Sequence, residues 1–225
     1  MNKYPLLSFP VANLDEAKAQ QNQLCGLVRF EPLDVENVNE VIAIKAICTS
    51  EKALAVAAAV NLTDWRIVQI GFGEAPLNFP YQAGFFAYCA FAAIIQAVEQ
   101  LNALRDVIIV EGHGIAHPRR FGLACHIGVA LDLPCIGVAQ TLLIGQHETL
   151  GEKKGSCAYL MDGNEIIGLA YRSQTGCKPL FFSVGNRINL ASILGLAAKL
   201  FRAYRMPEPL RMAKFYLHNK IKKEY

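Results

Sequence analysis

The residues best suited to chemistry stand close together between Val110 and Gly122, where Glu-Gly-His-Gly-Ile-Ala-His-Pro-Arg-Arg runs from Glu111 to Arg120. An aliphatic run ends at Glu111, and the two glycines that follow let the backbone turn and approach a ligand closely. His117 and the proline after it suit the cap and the first position of a helix. The pattern predicts a strand, a loop and a helix start, an arrangement that often binds phosphate.

Two adjacent arginines, Arg119 and Arg120, fall in the first turn of that predicted helix. Cations there oppose the helix macrodipole at a cost of about 0.3–1 kcal/mol each, which points to a functional reason for keeping them. A structural reason fits the spacing equally well: one arginine would pair with Glu111, the other would be solvated, and His113 and His117 would hydrogen-bond the loop. The residues alone leave both interpretations open.

Hydrophobic patterns predict the strands that position this segment. Asp106–Val110 and Pro134–Ala139 are aliphatic runs with a helical pattern, Pro118–Leu131, between them, which predicts a parallel pair of strands. Upstream, three β-rich runs separated by short polar turns predict an antiparallel meander. These runs are Val41–Cys48, Ala53–Leu62 and Trp65–Phe72.

Helices and a hairpin complete the predicted fold. Apolar residues recur at helical spacing in Leu14–Arg29, Phe85–Leu104 and Leu190–Tyr204. Asp162-Gly163, between two short β-rich runs, is a strong hairpin signal. The predicted fold class is therefore α/β, with a mixed sheet of an antiparallel meander joined to parallel strands and with helices on both faces.

Composition limits the possible functions. With 225 residues, 53% of them hydrophobic and 18% charged, the chain is expected to form one domain, 1–225, around a large core. The net charge of +3 permits nucleic-acid binding without indicating it. Prolines and early acidic residues at the N-terminus argue against a secretory signal, and the longest uncharged apolar run, Ala83–Ile95, is too short to span a membrane. We therefore expect a cytoplasmic protein without a membrane partner.

The cysteines and the C-terminal lysines give no functional signal. The seven cysteines form no Cys-x-x-Cys pair, and most stand in apolar segments, so disulfides and structural zinc are not expected. The stretch Lys220–Lys223 is expected to be a solvated end rather than a binding arm.

The segment at Glu111 resembles the signature of endonuclease V, a family of repair nucleases that act on deaminated adenine and have an RNase H-like fold. The family signature is a strand followed by Asp-Gly-His-Gly and then His-Pro-Arg-Arg. The resemblance extends over residues 14–214 through Pro80-Tyr81, Gly84-Phe85, Leu133–Ala139, Lys178–Phe181, Val184-Gly185 and Tyr204–Pro209. In the family, the Pro-Tyr pair is a wedge that inserts beside the damaged base. The residues that the resemblance places at DNA or RNA are Pro80, Tyr81, Gly112, His113, Gly114, His117, Arg119 and Arg120.

The family cuts phosphodiesters with Mg²⁺ or Mn²⁺ held by carboxylates, and most of those carboxylates are replaced here. The first-strand Asp corresponds to Ala46, and the Glu ten residues after the wedge proline corresponds to Ala90. Glu111, about one methylene longer than the family Asp, is the one ligand position that stays acidic and is the candidate catalytic residue. The family Lys after Gly-Val-Ala is Gln140, and the family His before Arg is Asn186. No bound metal is expected.

Few other charged residues could replace the lost ligands. Asp34 and Glu51 stand several residues from the required point of the first strand, and an odd shift turns a side chain to the other face. Lys45, beside Ala46, could place an ammonium where the metal would be, but strand alternation is expected to point Lys45 away from that face. Glu111 is instead expected to orient one of the nearby arginines, in a structural clasp or in an anion site.

Three functions are compatible with this sequence. The leading hypothesis is a noncatalytic nucleic-acid-binding relative of the deoxyinosine-specific endonuclease, which keeps the wedge and the base-side loop without the cutting centre. The second is a weakly active or altered endonuclease acting on inosine-containing DNA or RNA with Mg²⁺ or Mn²⁺ at Glu111. The third is a protein-interaction or structural subunit, in which Ala46 and Ala90 avoid the cost of burying carboxylates without their metal.

Overall fold

The computed structural model describes residues 11–224, with side chains up to residue 222, and contains nine strands and five α-helices in that range. The strands are β1 (Glu40–Cys48), β2 (Lys52–Asn61), β3 (Ile67–Pro76), β4 (Val107–Glu111), β5 (Cys135–Ala139), β6 (Gln146–His147), β7 (Cys157–Asp162), β8 (Glu165–Tyr171) and β9 (Leu180–Asn186). The helices are α1 (Leu14–Leu24), α2 (Phe86–Glu99), α3 (Leu123–Leu131), α4 (Leu190–Lys199) and α5 (Glu208–Glu224). The prediction that the N-terminus is not a secretory signal rests partly on residues 1–10, which lie outside the described range.

The strands form one mixed sheet in the order β3-β2-β1-β4-β5-β9-β8-β7-β6. β1, β2 and β3 are the predicted antiparallel meander. β4 pairs in parallel with β1 on one side and with β5 on the other, and the strands beyond β5 are antiparallel. The predicted fold class is confirmed.

Helices cover both faces of the sheet, so the central strands are apolar without strict alternation. On one face, α2 packs with Ile42 and Ile44 of β1. On the other face, α4 and α5 pack with Val41 and Ala43. No helix among the described residues is long and apolar enough to cross a membrane.

Helix α2 lies directly on β3 because that strand carries glycine where the helix crosses it. A Cβ atom at Gly73 would overlap the carbonyl oxygen of Ala93. A disulfide between Cys48 and Cys89 also joins the end of β1 to α2. The expectation of no disulfide is therefore wrong: the two cysteines are 41 residues apart, and the fold brings together two elements that sequence spacing does not relate.

Several element boundaries differ from the sequence prediction. Helix α3 begins at Leu123 instead of Pro118, because the preceding residues form turns. The strand β9 and the helix α5 were not predicted. Lys220–Lys223, expected to be a solvated end, continues α5, although the side chain of Lys223 lies outside the described part of the chain.

Candidate functional site

A cavity of about 450 Å³ opens at the edge of the sheet where β1, β4 and β5 end. Parallel strands end at a common edge, and crevices outside their carboxyl ends are frequent ligand sites. Its lining includes Lys45 and Ala46 from β1, Glu111 from β4, and residues from the loop before α2 and the loop after β5. The segment with the strongest chemical signal in the sequence therefore forms one wall of a cavity.

Glu111 forms an ion pair with Lys45 inside this cavity. The Nζ atom of Lys45 lies 3.0 Å from Oε2 of Glu111, and their side chains are 20% and 12% exposed. The strand register explains the contact: Ile44 of β1 stands beside Val110 of β4, so the next residues of the two parallel strands are neighbours on the same face.

Two expectations about these side chains are wrong. Lys45 does alternate with Ala46, but Glu111 lies on the face of Lys45, so alternation directs the ammonium to the carboxylate instead of away from it. Glu111 was also expected to orient Arg119 or Arg120, and each of these arginines has other partners. The position of the ammonium depends on the pairing of β1 with β4, which no local pattern encodes.

Gln140 and Arg205 hold the Glu111 carboxylate from the other side. Nε2 of Gln140 donates a hydrogen bond of 3.0 Å to Oε1 of Glu111. The Arg205 guanidinium donates to the side-chain oxygen of Gln140 at 3.2 Å, and to the carbonyl oxygen of Pro179 at 2.8 Å. Sequence reasoning missed Arg205, although it lies within the Tyr204–Pro209 motif.

The carbonyl oxygen of Gly84 anchors the loop before α2 to the Glu111–Arg120 segment. It accepts hydrogen bonds from Gln21 Nε2 at 3.1 Å, from His117 Nε2 at 2.9 Å and from Arg119 at 3.0 Å. Arg119 also donates to Gln21 Oε1 at 2.5 Å, and its guanidinium carbon lies 4.3 Å from the centre of the Phe85 ring. Arg119 therefore holds the loop in place through contacts within the protein.

His117 acts in this anchor as a neutral side chain. It is 2% exposed, and this burial lowers its pKa to about 4. The neutral ring can donate from Nε2 to Gly84 and accept at Nδ1 from the backbone N–H of Arg119 at 3.2 Å. Burial also lowers the pKa of His113, whose Nε2 lies 3.1 Å from the carbonyl oxygen of Thr141.

Arg120 joins the segment to the hairpin of β7 and β8. Its guanidinium lies 2.7 Å from a carboxylate oxygen of Asp162 and 2.7 Å from one of Glu165, and these partners raise its pKa. Its φ is +52°, so the chain turns at Arg120 before α3 begins. The prediction that both arginines lie in the first turn of a helix is therefore wrong, and the macrodipole argument does not apply to them.

Comparisons with known proteins agree on one family. The family model described as Endonuclease V matches residues 22–215. The chain belongs to the endonuclease V family. It is 37% identical over 210 residues to "Endonuclease V" of Rippkaea orientalis, covering 92% of this chain and 91% of that protein. It is also 37% identical over 199 residues to "Endonuclease V" of Methanothrix thermoacetophila, covering 88% of each.

Solved structures show the same fold. The endonuclease V of Streptomyces avermitilis superposes with a TM-score of 0.91 at 32% identity, covering 96% of each chain. The endonuclease V of Ciona intestinalis, in complex with a 24mer DNA containing an inosine followed by a ribo-adenosine, superposes with a TM-score of 0.80 at 20% identity, covering 94% of this chain and 98% of that one. The sheet of this family member is therefore RNase H-like, as the resemblance implied.

The residues that the resemblance places at nucleic acid fall into two groups. Tyr81, Gly112, His113 and His117 line the cavity, and Tyr81 is 65% exposed with its ring edge against Phe86. The other four do not line it. These are Pro80, which is exposed beside Tyr81; Gly114, which is buried and donates to Ser183; and Arg119 and Arg120, which have the partners given above.

The donors at the positions that the resemblance assigns to the metal do not fit Mg²⁺. Ala46 and Ala90 offer no ligand atom, Oε1 of Glu111 accepts from Gln140, and its Oε2 faces the Lys45 ammonium. Among residues 11–222, no three His, Cys, Asp or Glu side chains are grouped so that they could hold a metal ion. The arrangement is a carboxylate held by a cation and an amide.

The supporting position Asn186 and the two alternative ligands, Asp34 and Glu51, do not lie in the cavity. Asn186 is buried; its Oδ1 accepts from the backbone N–H of Arg29, and its Nδ2 donates to the carbonyl oxygen of Gly128. Asp34 caps a short 3₁₀ turn, and Glu51 lies in the exposed turn between β1 and β2.

Proposed function

We propose that this endonuclease V family member binds deoxyinosine-containing nucleic acid without cutting it, and that it needs no metal. One contrast around the cavity carries the proposal. The exposed wedge residue Tyr81 and, further inside, Ala46 and a Glu111 paired with Lys45 line the cavity, and the third position that the resemblance assigns to the metal is Ala90, buried in α2 behind the lining.

The binding half of the proposal rests on Tyr81 and the glycine loop. An exposed aromatic ring at the rim can stack on an unpaired base or fill the gap that a flipped base leaves. The backbone at Gly112, together with His113, forms the cavity wall that would receive the flipped base. The Ciona relative seen with inosine-containing DNA gives the chemical class of ligand.

The noncutting half of the proposal rests on the ion pair. Metal-dependent phosphodiester hydrolysis needs carboxylates that converge on the ion to orient water and to offset charge on the phosphate. A metal bound to Glu111 would have to displace Lys45 and Gln140 and would gain one carboxylate in return. Two contacts would be lost for one metal ligand gained, so the Lys45–Glu111 ion pair is favoured over a bound metal.

Fluorescence polarisation with labelled 24-mers tests the binding half. At low salt, we expect the protein to bind an oligonucleotide with one deoxyinosine more tightly than the same sequence with adenine. Tyr81→Ala should weaken inosine binding by at least about fivefold and by up to about 150-fold, since stacking on a base contributes about 1–3 kcal/mol.

Tyr159→Ala is the matched control, because Tyr159 is 59% exposed on β7 and does not line the cavity. This variant should bind like the unmodified protein. Absence of any binding at low salt would refute the proposed function. Stable capture of a protein partner that is insensitive to Tyr81→Ala would then favour a structural subunit.

A further inference from the structure

We propose that the Lys45 ammonium is a built-in cation that binds a phosphate of the nucleic acid, so that the cavity works without a divalent metal. This inference rests on the proposed function and assigns a ligand group to a side chain within the same cavity. The ligand class is a phosphodiester. The site is the Lys45–Glu111 pair with Gln140 behind it.

Lys45 is the one lysine or arginine among the described residues that line the cavity. The two histidines of the lining have partners within the protein: His117 contacts the carbonyl oxygen of Gly84 and the backbone N–H of Arg119, and His113 contacts the carbonyl oxygen of Thr141. Lys45 is therefore the side chain of the lining that brings a formal positive charge to a phosphate.

The geometry leaves the ammonium able to accept a second anion. Lys45 lies 3.0 Å from Oε2 of Glu111, but that buried oxygen receives no aligned hydrogen bond. One carboxylate oxygen takes at most one N–H of the ammonium, so at least two of its three N–H donors remain for a ligand. The 20% exposure of the Lys45 side chain gives a ligand access to it.

Charge counting supports the exchange of a metal for an ammonium. Three carboxylates around one Mg²⁺ carry a net charge of −1, whereas Glu111 with Lys45 is neutral. The altered centre therefore repels a phosphate no more than a metal-loaded one does. Replacing two carboxylates by Ala46 and Ala90 makes this balance possible, because one ammonium could not neutralise three acids.

Gln140 and Arg205 make the site rigid. Arg205 holds Gln140, Gln140 holds Oε1 of Glu111, and Glu111 fixes the ammonium. A preorganised cation loses less conformational freedom on binding than a free surface lysine. This chain of contacts distinguishes Lys45 from the solvated lysines of the molecule.

The test measures inosine-oligonucleotide affinity and its salt dependence by fluorescence polarisation. For the unmodified protein, we expect the affinity in EDTA and in 5 mM Mg²⁺, an ordinary assay level, to agree within about twofold, since no metal takes part. Glu111→Gln should bind more tightly, because it keeps an oxygen atom beside the ammonium and removes the negative charge that competes with the phosphate.

Comparison of Glu111→Gln with Lys45→Met/Glu111→Gln isolates the contribution of the Lys45 ammonium to nucleic-acid binding. The double variant should bind about tenfold more weakly than Glu111→Gln, because a charge-assisted hydrogen bond contributes about 1.5–3 kcal/mol. Its slope of log affinity against log salt should be smaller by about 0.7–0.9. Lys214→Met, which removes an exposed lysine of α5 outside the cavity, should leave both values nearly unchanged. Thermal unfolding verifies that each variant is folded, and the EDTA comparison needs no variant.

Two results would overturn the inference while leaving inosine binding without cutting, the main part of the proposed function, intact. One is binding that is more than about tenfold weaker in EDTA than in Mg²⁺, which would mean that a metal takes part. The other is a double variant that binds with the affinity and salt slope of Glu111→Gln. Failure to bind any oligonucleotide under any condition would instead refute the proposed function, and this inference with it.

Discussion

Lys45→Met tests the energetics of the ion pair apart from any ligand. The substitution keeps an unbranched side chain one atom shorter and removes its charge, so the Glu111 carboxylate keeps Gln140 as its partner and loses the ammonium. Breaking a fully buried pair costs about 3–5 kcal/mol, whereas an exposed pair contributes about 0–1 kcal/mol. Since the two side chains are 20% and 12% exposed, we expect a loss of about 2–3 kcal/mol in the free energy of unfolding.

A loss of that size should lower the melting temperature by about 4–12 °C, since 1 kcal/mol corresponds to about 2–4 °C in a chain of this length. Lys45→Met/Glu111→Gln should recover most of the loss and fall within about 1 kcal/mol of the unmodified protein, because no buried charge is left unpaired. Urea unfolding followed by circular dichroism measures the free energy of unfolding of the unmodified protein, of Lys45→Met and of the double variant.

The control is Lys18→Met, which removes the partner of Asp15 in a pair whose side chains are 50% and 92% exposed. It should change stability by less than about 1 kcal/mol. The reasoning is refuted if Lys45→Met is as stable as the unmodified protein, or if the double variant is as unstable as the single one.

Three further predictions concern the surroundings of the cavity. Arg119→Met should weaken inosine binding by loosening the loop at Gly84 without changing the salt slope; a slope smaller by about 1 would show instead that Arg119 contacts phosphate. Burial lowers the pKa of His126 to about 3, so the free energy of unfolding should fall as pH drops from 6.5 toward 3, because the unfolded chain takes up the proton at a higher pH than the folded protein. In urea unfolding, His126→Leu should reduce this fall by about 1.4 kcal/mol per pH unit. An equal fall in both proteins would contradict this prediction. Replacing Cys48 and Cys89 by alanine should cost about 3–4 kcal/mol for a 41-residue separation, and dithiothreitol should lower the melting temperature of the unmodified protein only.

Local patterns predicted most of the elements but missed β9 and α5, and they did not predict the contacts between elements. The aliphatic run that ends at Glu111 and the helical pattern after it predicted a parallel pair, and β4 and β5 form one. The pattern did not reveal where the helix begins, because the turn at Arg120 is fixed by Asp162 and Glu165, which are more than 40 residues away. Local propensity does not contain such tertiary contacts.

The candidate site likewise combines residues that the sequence predicted with contacts that it did not. Counting along the family motifs gave Ala46, Ala90 and Glu111 as the metal positions, and this assignment stays a prediction; Ala46 and Glu111 line the cavity, and Ala90 does not. Strand alternation was correct for Lys45, yet the inference drawn from it was wrong, because the relevant neighbour is on another strand whose register only the folded sheet defines. Arg205 was missed for a similar reason: its contact with Gln140 joins residues 65 apart in the sequence.

Single-turnover cleavage measures the central claim most directly. Excess protein is incubated with end-labelled deoxyinosine DNA and inosine RNA in Mg²⁺ and in Mn²⁺, at a protein concentration where polarisation shows the oligonucleotide to be bound, beside an active endonuclease V as positive control. We predict bound substrate and no product above the protein-free control with either metal. Product that forms in proportion to the protein and is abolished by Glu111→Gln would contradict the account.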